Sequence, residues 1–212
     1  MTAPDEWQVH IAEECSKDRA AVHAFIDAVL AADGPACWRA IEEISARSMW
    51  LTAMRAVARN PATSDEFRRH FLAVYVSHGD RICSEMRDDL VLCEGLRALL
   101  PRYNGPALTI YRGEGHSNRR RRTYGLAWSA DREVAKCFAA NNVDKYRGGT
   151  VLLQAHASAD AIICAPALME ELPHAPECEY IVDRRRLSDV KVLERFVPMR
   201  RPRRAAYPAR PS

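Results

Sequence analysis

Three charged side chains close to strand-like segments could do chemistry in this chain. Arg112 follows Tyr111 in one segment, and Glu177 and Glu179 stand two residues apart in another. A guanidinium binds phosphate groups in a bidentate geometry that an ammonium does not match. The two carboxylates would project from one face of a strand, because side chains alternate along it. These residue types suit an anionic phosphate group and a positively charged transition state.

Two predicted strands and the segment between them must position these residues. Strands are expected over 108–113 and 177–182, where β-branched and aromatic residues dominate and Pro or Gly precedes each run. The segment 125–139 is predicted as a short strand that leads into a helix.

In this order, the three segments resemble the Arg–Ser–Glu class of ADP-ribosyltransferases, and the resemblance covers residues 105–197. That family has an aromatic-Arg-Gly strand, then a Ser-Thr-Ser strand followed by a helix with an Ala-x-x-Phe pattern, then a Glu-x-Glu strand. Ala127-Trp128-Ser129 falls where Ser-Thr-Ser should be, so only the last serine is kept. The other matching residues are Tyr111-Arg112-Gly113, Ala135-Lys136-Cys137-Phe138 and Glu177-Cys178-Glu179.

The resemblance implies transfer of ADP-ribose from NAD, the expected co-substrate. Arg112 would hold the pyrophosphate, and Gly113 would let the nicotinamide amide approach the backbone closely. Glu179 would bind the ribose hydroxyls and stabilise the positive charge that develops as the nicotinamide–ribose bond breaks. The NAD-binding residues are then Tyr111, Arg112, Gly113, Trp128 and Phe138, and the catalytic residues are Glu179, Glu177 and Ser129.

Several of these residues also have a purely structural interpretation. Arg112 would otherwise form a surface salt bridge, and Glu179 would face water from a strand edge. The Ser129 hydroxyl would either hold a carboxylate or cap the following helix. The position of Phe138 favours the core over stacking on nicotinamide. Ala127 leaves open whether Ser129 replaces the missing serine, or whether the enzyme is impaired or binds NAD differently.

Glu177 carries the question of the acceptor. In the family, a glutamate two residues before the catalytic one usually accompanies transfer to arginine side chains of a protein target, because a carboxylate orients a guanidinium. The loop over 168–176 would then meet the target. Enzymes of this kind act as toxins, phage-encoded effectors or inhibitors of defence systems such as CRISPR.

Composition indicates an ordinary globular protein. The 212 residues are 48% hydrophobic and 28% charged, and the net charge is +3. No apolar run is long enough to cross a membrane and no secretory leader opens the chain, so a cytoplasmic location without a membrane partner is expected. The seven cysteines are scattered, which favours reduced, buried thiols over a disulfide framework or a metal site.

The first half of the chain is predicted to be helical. One helix covers 22–30, a second 36–59, a third starts at a capping box formed by Thr63 and Glu66, and a fourth covers 80–99. The segment 77–79 (Ser-His-Gly) is predicted as a turn. We expect this half to serve packing rather than catalysis.

Strands dominate the second half. A polar loop over 114–123 is expected to be exposed because of its arginines, and further strands are predicted over 150–156, 161–164 and 190–197. The fold class is therefore α+β, with N-terminal helices packed on a split, mostly antiparallel sheet of the ADP-ribosyltransferase type. The expected domains are a helical extension or cap over 1–60, the transferase-like domain over 61–198, and a basic, disordered tail over 199–212.

Two other functions remain open from the sequence. Arginines cluster over 119–122, over 184–186 and in the tail, where five occur from Arg200 onwards. Such clusters bind nucleic acid through phosphate contacts, but no aromatic residues are interleaved with them, so this partner is not favoured. A non-catalytic binding protein would use these patches, whereas an NAD glycohydrolase would use water as the acceptor.

Overall fold

The computed structural model of the chain describes residues 5–60, 63–86, 88–166 and 179–198. It is an α+β protein, as the sequence predicted, with helices first and strands afterwards. Among the described residues, no helix combines the length and apolar composition that a membrane span needs. The helices are α1 (Glu6–Leu30), α2 (Gly34–Ala46), α3 (Trp50–Arg59), α4 (Asp65–Glu85), α5 (Asp89–Leu99), α6 (His116–Arg121) and α7 (Arg132–Asn141). The strands are β1 (Leu108–Gly115), β2 (Ala127–Ser129), β3 (Thr150–Ala157), β4 (Ile162–Cys164), β5 (Glu179–Val182) and β6 (Ser188–Phe196).

The predicted helix over 36–59 is wrong as a single element, because the chain turns sharply at Ser48. Ser48 has a φ of 55°, in the left-handed region that interrupts a right-handed helix. Trp50 then opens α3, and its indole nitrogen donates to the Ser45 hydroxyl at 2.8 Å. That bond ties the end of α2 to the start of α3.

The predicted turn at 77–79 is also wrong, because α4 continues through it. Gly79 is buried in this helix, and a Cβ there would lie 3.1 Å from the ring of Tyr75 one turn earlier. The glycine therefore makes room for an aromatic ring instead of ending the helix. The predicted helix over 80–99 is in turn divided between α4 and α5.

Two helix starts are set by residues that the sequence left unassigned. Ser64 caps α4 by accepting the backbone N–H of Phe67 at 3.1 Å, so the predicted capping box at Thr63 is wrong. The Thr63 hydroxyl donates instead to the Ala98 carbonyl at 2.8 Å, which fixes the end of α5 beside the start of α4. Asp88 caps α5 by accepting two backbone N–H groups.

The first predicted strand is longer than expected, and its end is buried. β1 continues to Gly115 and α6 follows directly, where an exposed loop was predicted. Glu114 is only 2% exposed, which corrects the expectation that the whole segment faces solvent. The arginines of α6 do stay out of the core, since α6 has no buried residue.

The six described strands form one sheet in the order β4-β5-β2-β1-β3-β6, with antiparallel neighbours throughout. The sheet is continuous, so the predicted split is not a gap between two sheets. Its shortest strand pairing is between β1 and β2, which share a single register pair, Tyr111 with Ser129. We call this short pairing the narrowed seam between β1 and β2. The next pair along, β1 with β3, has eight.

The two faces of the sheet belong to two apolar clusters. The larger cluster joins the helices α1 to α5 to one face of the sheet, which contributes Leu126, Ile163, Cys164 and Ile181. The smaller cluster covers the opposite face around Ile110, Trp128, Leu153, Tyr180 and Val182. Phe25 and Trp50 lie in the larger cluster together with Phe71 and Leu99, so helices from both sides of residue 60 share one core.

Three of the six described cysteines are buried in this core, so the prediction of buried thiols is confirmed in part. The six described cysteines are free, and Cys37, Cys93 and Cys164 are buried, whereas Cys15 and Cys137 are exposed. Burial raises the pKa of each of the three buried thiols to about 12. These cysteines therefore behave as small apolar residues at neutral pH.

Candidate functional site

Three candidate residues form a row across the centre of the sheet. Tyr111 on β1 is the register partner of Ser129 on β2, and Ser129 is the register partner of Glu179 on β5. Directly opposed residues of antiparallel strands project from the same face, with Cβ atoms about 4.5–5.5 Å apart. The three side chains therefore project side by side from one face of the sheet.

This row lines a cleft of about 580 Å³. One wall comes from α4, and the opposite wall comes from α7 and the short 3-10 turn Val143–Lys145 that follows it. Arg112 and Glu179, which the resemblance assigns to one NAD site, both line this cleft. The other described candidates that line it are Tyr111, Gly113, Trp128, Ser129 and Phe138.

Arg112 reaches the cleft by way of the narrowed seam between β1 and β2. Its Nε donates to Glu114 Oε2 at 2.8 Å, and its Nη1 donates to the Ala127 carbonyl. The side chain is 23% exposed. Beyond the Tyr111–Ser129 pair, these side-chain bonds replace the missing ladder hydrogen bonds between the strands. The salt bridge that Arg112 forms is therefore not a surface pair, because its carboxylate partner Glu114 is buried.

Glu114 is held ionised by the donors around it. Burial by itself raises the pKa of this carboxyl, but the charge of Arg112 and hydrogen bonds from Arg112, Gly125 and Asn118 outweigh it and leave the pKa below its ordinary value. A buried carboxylate of this kind is stable only with such compensation. Glu114 therefore remains charged at neutral pH and keeps the adjacent guanidinium paired.

Ser129 is not the cap of α7. That role belongs to Asp131, whose carboxylate accepts the backbone N–H groups of Glu133 and Val134 at 2.7 and 3.3 Å. The Ser129 hydroxyl instead accepts the Asp131 backbone N–H at 3.0 Å. Ser129 is 7% exposed, so its orientation is fixed by the turn that leads into α7. The alternative left open by the sequence, a serine held beside a carboxylate, fits this placement.

Gly113 has a packing role that the sequence did not indicate. A Cβ on Gly113 would run into the backbone nitrogen of Ala139 and would lie 2.7 Å from the carbonyl oxygen of Ala135. Helix α7 thus crosses β1 at van der Waals distance, and only glycine permits this crossing. A close approach of nicotinamide to the backbone was expected at Gly113, but helix α7 of the protein itself makes the close approach there.

Comparison of the chain with protein-family models, with curated proteins and with solved structures finds no match.

The two aromatic candidates differ in what they offer to a ligand. Trp128 is 2% exposed, and its indole nitrogen donates to the Gly125 carbonyl at 3.0 Å, so its ring belongs to the smaller cluster. Phe138 is 46% exposed although a core position was expected. Of these two, Phe138 presents a ring surface to the cleft.

Several residues that line the cleft were not singled out in the sequence. Helix α4 contributes Tyr75, Asp80 and Cys83, and the segment after α7 contributes Lys145 and Tyr146. The Tyr75 hydroxyl lies 3.5 Å from Cys83 Sγ. The only sequence signal was the helical stripe of α4, which is also typical of plain core packing. Glu177 and the loop over 168–176 lie outside the described residues.

The arginine clusters differ in how they are paired. Arg184–Arg186 form ion pairs with Asp89, Asp183 and Asp160, so this run is neutralised within the fold. The arginines at 119–122 form no ion pair with any residue that the structure describes. Groups of three or more His, Cys, Asp or Glu side chains able to hold a metal are likewise absent from the described ranges.

Proposed function

We propose that this protein is a mono-ADP-ribosyltransferase that takes ADP-ribose from NAD and transfers it to a side chain of a protein target. The observation that carries the proposal is the row Tyr111–Ser129–Glu179 on the floor of a cleft that Arg112 also lines. These are the residue types that the resemblance assigns to NAD binding and catalysis, and they converge although up to 68 positions separate them in the chain (179 − 111).

The cleft suits NAD in size and in lining. Small-molecule sites typically have volumes of about 300–1,000 Å³, and this cleft has about 580 Å³. Arg112 and Lys145 supply positive charge for a pyrophosphate, and Phe138 and Tyr146 supply rings on which a base can stack. Glu179 supplies a carboxylate from β5, at the other end of the row from Tyr111.

In the reaction, the bond between the ribose of NAD and nicotinamide breaks. The electron pair of that bond leaves with nicotinamide, which becomes neutral. The Glu179 carboxylate stabilises the positive charge that develops on the ribose, as carboxylates do in glycosidases. The Ser129 hydroxyl, its neighbour in the row, orients that carboxylate. Arg112 binds the pyrophosphate.

An arginine acceptor is the favoured target group, on the resemblance of Glu177-Cys178-Glu179 to the Glu-x-Glu strand. Glu177 would orient the guanidinium of the target, whose nitrogen would form the new bond to the ribose carbon and pass its proton to the Glu177 carboxylate. Toxin, phage-effector and anti-defence roles are all compatible with this activity.

A second candidate function is binding without catalysis. It is favoured by Ala127, which has no hydroxyl where the family has its first serine, and by the arginines at 119–122. On this alternative the cleft would hold a ligand that is never cleaved.

Incubation of the purified protein with labelled NAD and a cell lysate separates these functions. A transferase labels a protein band, a glycohydrolase releases free ADP-ribose, and a binding protein does neither. Label that persists in the Glu179→Gln variant would contradict the proposed catalytic role.

A further inference from the structure

The seam between β1 and β2 is held by two side chains instead of backbone ladders. After the single register pair of Tyr111 with Ser129, Arg112 bonds to the Ala127 carbonyl and Glu114 accepts the backbone N–H of Gly125 at 2.9 Å. Arg112 and Glu114 stand at i and i+2 of β1, so they share one face of the strand. The two side chains therefore act as one unit.

Glu114 uses all of its accepting capacity. Its Oε1 accepts the backbone N–H of Gly115 at 2.8 Å and the side-chain amide of Asn118 at 2.9 Å. Its Oε2 accepts Arg112 Nε and the backbone N–H of Gly125. A carboxylate has about four accepting positions, so these four donors fix its place.

This arrangement determines which nitrogens of Arg112, a residue that lines the cleft, have partners within the protein. Nε and one N–H of Nη1 are taken up by Glu114 and Ala127. Nη2 has no hydrogen-bond partner among the residues that the structure describes. Gly125 permits this orientation, because a Cβ there would collide with Nη2. The bonds that Nε and Nη1 make to Glu114 and Ala127 therefore also fix the position of Nη2.

We propose that Glu114 is a positioning residue that holds the free edge of the Arg112 guanidinium toward the cleft and thereby sets the affinity for the pyrophosphate of NAD. This inference depends on the proposed function, because it assumes that the ligand carries a pyrophosphate. The competing interpretation is that Glu114 only holds β1 and β2 together and has no role in binding.

The Glu114→Gln variant tests this role. Glutamine keeps the shape of the side chain but removes the charge and places an amide donor among donors. We expect the dissociation constant for ADP-ribose, measured by calorimetry, to rise about tenfold or more, as loss of a charge-assisted contact does. Binding of adenosine, which lacks the pyrophosphate, stays unchanged. In NAD turnover, KM rises while kcat changes little, because the lost interaction is ground-state binding.

A double-mutant cycle identifies the route of the effect. If Glu114 acts through Arg112, then Glu114→Gln has no further effect on ADP-ribose binding once Arg112→Ala is present. Glu133→Gln, an exposed glutamate on α7, is the matched control and leaves binding unchanged. Asn118→Ala, which removes one donor from Glu114, is expected to weaken ADP-ribose binding less than Glu114→Gln. It carries the test if Glu114→Gln does not fold.

Two results overturn the inference in different ways. If Glu114→Gln melts at a lower temperature but binds ADP-ribose like the wild type, Glu114 has only a structural role and the proposed function stands. If the wild type binds neither NAD nor ADP-ribose, the proposed function fails and the positioning role fails with it.

Discussion

Ser129 and Glu179 are register partners on neighbouring strands and project from the same face of the sheet. Their Cα atoms are paired by the backbone, so their proximity does not depend on the side-chain rotamers. Strand β2 brings Ser129 there from one side, and β5 brings Glu179 from 50 residues further along the chain (179 − 129). The first prediction follows from this pair, a serine and a glutamate on one face of the sheet that both line the cleft.

Glu179→Gln is expected to lower the rate of NAD cleavage by about 10²–10³, because the carboxylate no longer stabilises the developing positive charge. The melting temperature should change little, since Glu179 is only partly buried. Release of nicotinamide is the measurement. The matched control is Glu94→Gln, an exposed glutamate on α5. A rate within threefold of the wild type would remove Glu179 from the catalytic residues.

Gly113→Ala is expected to destabilise the protein by about 1–3 kcal/mol, because the new methyl group meets the backbone of α7 and the helix must move. Gly34→Ala is the control, since a Cβ there meets nothing within 4 Å. It should leave stability unchanged or raise it by up to about 1 kcal/mol. Urea denaturation measures both variants. Equal stability of the two would show that α7 does not need this glycine.

Phe138→Ala is expected to weaken NAD binding about tenfold or more, because loss of a stacking ring costs about 1–3 kcal/mol. Its effect on the free energy of unfolding should be small, since the ring is 46% exposed. Leu193→Ala on β6, a residue 38% exposed, should alter neither quantity. Calorimetric titration with NAD decides the matter, and unchanged affinity would place Phe138 outside the binding surface.

Acid destabilisation is expected to involve Asp183. This carboxylate is 1% exposed and accepts Arg185 Nε and Nη2 at 2.8 and 2.7 Å. Burial raises the pKa of Asp183, but the bonds and charge of Arg185 outweigh burial and hold it below the ordinary 3.8. The folded-state pKa is lowered, so the stabilisation is complete above the unfolded-state pKa and is lost as the pH falls through the folded-state pKa.

Asp183→Asn should therefore be less stable than the wild type at pH 7, by about 1–3 kcal/mol. The difference in the free energy of unfolding should narrow as the pH falls below 3.8. Urea denaturation from pH 7 down to pH 3 measures this, with the exposed Asp144→Asn as control. A difference that stays constant with pH would exclude the charge of Asp183 as the cause.

The strands could be predicted from the sequence because local pattern favours them. Runs such as Leu-Thr-Ile-Tyr, rich in β-branched and aromatic residues, favour strands, and residues two positions apart in a strand share a face by geometry alone. The buried state of Glu114 could not be predicted. It depends on donors from Gly125 and Asn118, which only the folded chain brings together. An Arg-x-Glu pair in a strand was the one available signal.

The helix boundaries were harder to predict, because glycine and serine have several uses. Gly79 resembles a helix stop, but it makes room for the ring of Tyr75. The break between α2 and α3 lies at Ser48, whose backbone is in the left-handed region. A serine in the sequence does not predict that conformation. The wall that α4 contributes to the cleft was missed for a different reason: its stripe of apolar residues is indistinguishable from ordinary core packing.

Helix α4 contributes Phe71 to the apolar cluster shared with Ile181 of the sheet, and it also supplies Tyr75 to the cleft. The pocket is consequently not an independent module mounted on a stable scaffold. A molecule whose helices have come away from the sheet has no enclosure left around Glu179. Turnover and helical ellipticity should then disappear along the same denaturant curve, which makes enzymatic rate a direct gauge of how many molecules are native.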